Sequence, residues 1–155
     1  MIIKDPEAFR QTLKQGGVVA DGPVVPKAVF LVEPSGFRIS DQTAKDNVYM
    51  DTEASVDPML ALDQHRALAE RITQCGVPVI RFVGQSKTPD DVFPNNVFAT
   101  TQGRLIIGAM KHPERQLEAK REDIRQLFVD LLGYETHDLS IEDCVAELTG
   151  AMVID

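Results

Sequence analysis

Cysteine is nearly absent from this 155-residue chain, and the two that occur, Cys75 and Cys144, stand in no CxxC or CxxH spacing. A disulfide framework and a thiolate zinc site are therefore not expected, and the usage matches a reduced, cytoplasmic setting. Basic residues are also scarce, with 16 Lys and Arg against 24 Asp and Glu and no basic run. That balance argues against a nucleic-acid partner and tolerates a small cationic ligand. Long apolar runs are missing too. Nothing approaches the roughly 18 residues that cross a bilayer, and Met1-Ile2-Ile3-Lys4-Asp5-Pro6 lacks the apolar region of a signal peptide. The expectation is a soluble, cytoplasmic protein with no membrane partner, no metal and no cofactor.

What is present suffices for a core, since a domain of this length buries about 70% of its unfolded surface. A short helix is expected near residues 6–14, broken by Gly16-Gly17. Ala28 to Val32 then reads as a strand apolar on both faces, ended by Glu33-Pro34-Ser35-Gly36. Asp57 is a good helix cap with Pro58 at the first helical position, and Met59, Leu62, Ala69 and Ile72 recur at helical spacing until Gly76. Val77 to Val83 reads as the next strand. Val97 to Thr101 and Arg104 to Ala109 flank Gln102-Gly103 as an antiparallel hairpin. Pro113 opens a second long helix with Leu117, Ile124, Leu127, Phe128 and Leu131 on one face and Gly133 as its stop. Tyr134 to Leu139 is a further strand, and Ala151 to Asp155 starts another. The order gives a twice-repeated β-β-α-β pattern at roughly 55-residue spacing, hence mixed α/β sheets with outer helices.

Thr88-Pro89-Asp90-Asp91-Val92-Phe93-Pro94-Asn95-Asn96 carries the strongest chemical signal. Each proline fixes its own φ and pushes the residue before it toward extended geometry, so the loop is stiff. It presents two carboxamides, each with an acceptor oxygen and a two-donor amide, suited to a planar guanidinium, ureido or amide group. Asn-Asn is also a common turn former. Asp90-Asp91 reads as a solvated turn, with Asp90 available to cap the loop. Glu118, Lys120, Arg121, Glu122 and Asp123 read as the solvated face of the second long helix.

Three segments together resemble one superfamily: Val29-Phe30-Leu31-Val32-Glu33-Pro34 with Thr43-Ala44-Lys45-Asp46-Asn47, the Asn-Asn loop, and Glu147-Leu148-Thr149-Gly150-Ala151-Met152-Val153-Ile154-Asp155. They resemble the N-terminal half of the guanidino-group-modifying enzymes. These have the pentein fold of arginine deiminase, dimethylarginine dimethylaminohydrolase and the amidinotransferases. The likeness is strongest to the citrulline-utilisation hydrolase branch, with its T-P-D-x-x-F-P-N-N loop and L-E-G-T-G-S/A-M-V-L-D strand. The resemblance implies part of an α/β-propeller of five β-β-α-β units. Residues 1–27 form an N-terminal helix and linker, and residues 28–155 the N-terminal portion of the pentein domain.

The resemblance also implies thiol covalent catalysis on a C–N bond, with the attacking Cys and proton-moving His supplied beyond residue 155. It makes Glu147 the candidate catalytic residue, and Asn96, Asn95, Asn47 and Phe93 the candidate substrate-binding residues. Asn96 falls where many relatives have an Asp. Ala146 and Leu148 replace the Leu and first Gly around the motif Glu, which can alter the backbone there. Cys144, beside Glu142 and Asp143, lacks the base or cationic setting of a nucleophile. His65, His112 and His137 read as surface or satisfied polar residues. The expected function is part of a hydrolase acting on a guanidino or ureido amino acid of the arginine, methylarginine or citrulline class. An amidinotransferase and a non-catalytic arginine-like ligand or protein binding module remain alternatives. An incomplete propeller exposes apolar strand edges, which favours a homo-oligomer or a missing C-terminal segment.

Overall fold

In the computed structural model, residues 7, 11, 14, 15, 26–51, 55–101 and 103–152 are described. The helix expected near residues 6–14 and the Gly16-Gly17 break lie largely outside them. β1 (Val29–Val32) is followed by a short helix, α1 (Asp41–Ala44), whose Thr43 N–H bonds the Ser40 hydroxyl at its start. α2 (Pro58–Gln74) begins as its sequence dictates. The Asp57 carboxylate accepts from the Met59 and Leu60 N–H groups at 2.9 and 3.2 Å, a cap worth about 1 kcal/mol. Gly76, at φ +83°, ends the run in the left-handed region that glycine enters freely.

α2 crosses over to β2 (Val79–Phe82), which pairs in parallel with β1, Val29 opposite Val79 and Val32 opposite Phe82. With one strand neighbour among the described residues, β1 is not buried on both faces as expected. Val32 alone is fully covered. α2 likewise buries only His65 and Ala69, while Met59, in its first turn, is 64% exposed. His65 departs from its expected surface role, because it is buried and neither ring nitrogen has a partner of good hydrogen-bond geometry among the described residues, the Val32 backbone making only a weak contact. Burial holds its pKa below the usual imidazole value, with Glu33 opposing and Arg81 reinforcing the shift.

β3 (Phe98–Thr101) and β4 (Arg104–Ile107) form the expected antiparallel hairpin, Thr101 opposite Arg104, with Gly103 at φ +70° in the connection. The second long helix is instead broken in two, α3 (Pro113–Glu118) and α4 (Glu122–Gln126), and continues as a π-turn over Leu127–Leu131. Arg121 takes extended geometry, φ -64° and ψ 99°, and restarts the helix. The break destroys the single apolar stripe. Ile124 and Phe128 enter the core, whereas Leu117 is exposed and Leu131 is 75% exposed. Gly133, at φ +69°, is the stop expected of it. β5 (Glu135–Asp138) then pairs in parallel with β4. The closing described segment is a helical turn, α5 (Leu148–Ala151), and the strand start expected over Ala151 to Asp155 lies largely outside the described residues.

The result is a mixed α/β arrangement of two sheets, β1-β2 and β3-β4-β5, with no closed sheet among the described residues. Among the described residues the second half shows the full β-β-α-β order, while the first shows β-α-β. Val97, Phe98, Leu105, Ile107, Met110, Ile124 and Phe128 form the core together with Val32. Phe30 stitches the sheets together by edge-to-face contacts with Phe98 and Phe128, centroids 6.4 and 5.6 Å apart. An open cleft of about 960 Å³ lies there, lined by Phe30, Ile80, Thr101, Phe128 and Tyr134 among others, and by none of the candidate site residues.

Candidate functional site

The loop before β3 is stiff for reasons beyond its prolines. Asp91 is buried, and one of its oxygens accepts from the Gln85 N–H and the Thr88 hydroxyl, both at 2.9 Å, and from Arg121 at 3.3 Å. Asp90 is buried as well and accepts the Thr43 hydroxyl at 2.6 Å. The acidic pair is thus an internal brace and not a solvated turn. Burial raises the Asp91 pKa against the pull of those donors and of Arg121. The chain then enters a 3₁₀ turn over Pro94–Asn96, closed by the Asn96 N–H on the Phe93 carbonyl at 3.2 Å. Phe93 is half exposed, its ring edge-to-face with Phe37.

The two carboxamides do not act as an isolated turn. Asn95 Nδ2 donates to the Thr149 hydroxyl at 2.9 Å, and that hydroxyl donates to Asn96 Oδ1 at 2.5 Å. One hydroxyl therefore orients both amides and joins them to the segment that carries Glu147. Glu147 itself starts α5 without capping it, is partly buried, and carries no side-chain hydrogen bond or ion pair among the described residues. The two segments meet over Gly108. A Cβ there would lie 2.7 Å from the Ala146 carbonyl oxygen, 3.1 Å from that of Asn96 and 3.1 Å from Leu148 Cγ. Backbone bonds between Ala109 and Ala146, at 3.1 and 2.8 Å, fix the approach. Leu148, where the resembled motif has Gly, is buried beside it.

Asn47 stands apart. It is exposed, its Oδ1 accepts from the Tyr49 N–H at 3.1 Å, and none of its hydrogen bonds reaches Asn95, Asn96 or Glu147. Its neighbour Asp46 is held by Lys111 at 2.6 Å and His112 at 2.8 Å, which keep its carboxyl below the usual range. His112 is thus a satisfied polar residue, as expected. His137 is exposed, Cys75 and Cys144 are exposed and free, and no hydrogen bond links a cysteine to a histidine among the described residues. No group of three or more His, Cys, Asp or Glu suited to a metal is found among them, and no helix is long and apolar enough to cross a membrane.

Sequence reasoning missed the charged layer beneath the loop. Glu118 and Arg121, expected in solvent, are buried, and so is Arg115. Arg115 chelates Glu118 through Nε and Nη2 at 3.0–3.3 Å, and Nη2 also donates to the Phe93 carbonyl at 3.3 Å. Burial pushes the Glu118 carboxyl up to about 7, Arg115 opposing and Asp90 and Asp91 adding to the rise. Arg121 bridges Asp91 and Asp123, and pulls the Asp123 carboxyl down. The i, i+3 spacing of Arg115 and Glu118 was the available signal.

Solved structures of the pentein fold share this architecture. Apo ArgZ, an arginine dihydrolase from the ornithine-ammonia cycle in cyanobacteria, is similar at a TM-score of 0.63 and 20% identity, over 76% of this chain and 17% of that one. The product-bound N-terminal domain of ArgZ gives 0.59 and 19%, over 79% of this chain and 42% of that one. A DDAH from Pseudomonas aeruginosa complexed with citrulline gives 0.59 and 18%, over 79% and 46%. This chain spans less than half the length of each. No curated protein matches its sequence. The family model described as N,N dimethylarginine dimethylhydrolase, eukaryotic, matches residues 33–155, and the chain belongs to that family.

Proposed function

We propose that this chain supplies the substrate-gripping part of a hydrolase that cleaves a C–N bond of a guanidino or ureido amino acid, with the nucleophilic Cys and the His contributed by sequence beyond residue 155. The observation that carries this reading is the Asn95–Thr149–Asn96 relay, which ties the Asn turn to the segment bearing Glu147, a carboxylate with no side-chain hydrogen bond or ion pair among the described residues. A guanidinium offers only N–H donors, whereas a ureido group offers N–H donors and one acceptor oxygen. In this reading Glu147 accepts N–H groups in charge-assisted bonds. Asn96 Oδ1 takes the Thr149 hydroxyl and a long 3.5 Å contact from Asn95 Nδ2, which a guanidino N–H would displace, while its Nδ2 serves a ureido oxygen. Phe93 offers a half-exposed ring at the turn. Asn47 is left out of this reading, since its Oδ1 accepts the Tyr49 N–H in its own turn and none of its hydrogen bonds reaches the relay.

Titration of the chain with L-arginine, a methylated arginine and L-citrulline, followed by ¹H–¹⁵N spectra, tests the reading. Perturbation of the Asn95 and Asn96 side-chain amides is expected, and its absence for all three ligands would remove the assignment. In the full-length gene product, turnover that depends on an added amine acceptor would favour a transferase over a hydrolase. Asn96→Asp replaces a donor–acceptor by an acceptor-only anion and is expected to shift preference toward arginine over citrulline by about tenfold, or ~1.4 kcal/mol. An unchanged affinity ratio would contradict the role given to Asn96.

A further inference from the structure

Arg115 and Glu118 lie one turn apart on α3 and are 4% and 2% exposed, so their ion pair is shielded from water on all sides. Such a pair is costly to bury and contributes little net stability over apolar replacements. Its position gives it another use. The Phe93 carbonyl that receives Arg115 Nη2 is the same oxygen that closes the 3₁₀ turn by accepting the Asn96 N–H. A single oxygen atom thus joins the buried pair to the turn bearing both carboxamides.

We propose that Glu118 is a positioning residue for the Asn95–Asn96 turn, acting through Arg115 on the Phe93 carbonyl, and that the turn is held only while Glu118 is ionised. The proposal rests on the reading of that turn as ligand-holding. The charged groups facing Glu118 are Arg115 from its own helix, Asp90 and Asp91 from the loop, and Arg121 from the start of α4. Burial and the two carboxylates favour the protonated form, and the two arginines oppose it, leaving the midpoint at about 7. A proton taken from solvent leaves Glu118 neutral. The Arg115 guanidinium then has no anion in contact, turns toward water or toward Asp90 and Asp91, and releases the Phe93 oxygen.

Two readouts should move in opposite directions. The folded-state value lies above the ordinary 4.5 of a glutamate, so the stability contributed by Glu118 is fully present below that value and is lost as pH rises through about 7. Acidification therefore raises global stability through this group while it loosens the turn. Amide exchange of Asn96 and Val97, corrected for intrinsic rate, should quicken on the order of tenfold between about pH 8.5 and about pH 5.5, with its midpoint near neutrality.

Glu118→Gln, which keeps the shape and loses the charge, should show fast exchange at these two amides and a flat pH profile. A wild-type profile in the variant, or exchange that follows unfolding of the whole domain, overturns the proposal. Should the variant fail to fold, carboxyl ¹³C titration of the unaltered protein decides. Coincident midpoints for Glu118 and the Asn96 amide support the link, and separate midpoints overturn it. These readouts need no ligand. If arginine and citrulline fail to bind while the turn still responds to Glu118, only the functional reading falls.

Discussion

Arg115→Ala is expected to lower the unfolding free energy by about 3–5 kcal/mol at alkaline pH, the cost of leaving a buried charge without its partner. Three losses combine. The Glu118 carboxylate loses the fork that chelates it, the Phe93 carbonyl loses a donor, and the arginine stem leaves a void in a site that is 4% exposed. The cost should shrink at about pH 6, because Glu118, which titrates at about 7, then escapes by taking up a proton. Urea denaturation at both pH values measures the difference. The double replacement Arg115→Met with Glu118→Leu should recover most of the loss, since a well-packed apolar pair removes both desolvation penalties. A pH-independent loss, or a double variant no better than the single one, would show that the pair does not carry the energetics assigned to it.

Gly108→Val is expected to abolish ligand recognition while destabilising the fold by about 1–3 kcal/mol. The new side chain cannot be absorbed by a flexible neighbour, because two of the three atoms it meets are backbone oxygens, those of Ala146 and Asn96. Relief must come from separating the Glu147 segment from the Asn turn, and a shift of about 1 Å breaks the Thr149 relay, whose bonds allow no such stretch. Affinity for arginine or citrulline should drop by at least about tenfold. Gly150→Ala is the control, since a Cβ there meets nothing within 4 Å. Wild-type affinity in Gly108→Val would mean that the two segments do not act together.

How much of this was legible follows the range of the interactions. α2 was readable end to end because its signals are local: Asp57 caps, Pro58 starts and Gly76 stops. The hairpin was readable for the same reason. The Asn turn was recognisable from its prolines, yet its partner Thr149 lies 54 residues from Asn95, beyond any local pattern. Asp90-Asp91, Glu118 and Arg121 were misread because polar residues default to solvent when their partners are out of view, whereas Lys120, Glu122 and Asp123 are exposed as expected. Asp91 finds Arg121 30 residues away, and Asp90 finds Thr43 47 residues away. A helical period drawn from Pro113 to Gly133 cannot register the extended residue at Arg121 that rotates one half against the other.

The parallel pairing of β1 with β2 imposes an order of assembly. Thr101 and Arg104 meet across a two-residue connection, so the hairpin can close on the ~1–10 μs scale of such elements. Val29 must instead find Val79, a loop of about fifty residues whose closure entropy precedes any reward. Pulse-labelled exchange should therefore find β3 and β4 protected before β1. Because Thr43, just after β1, supplies the donor that holds Asp90, the bracing of the Asn turn is completed only when that slow strand has docked.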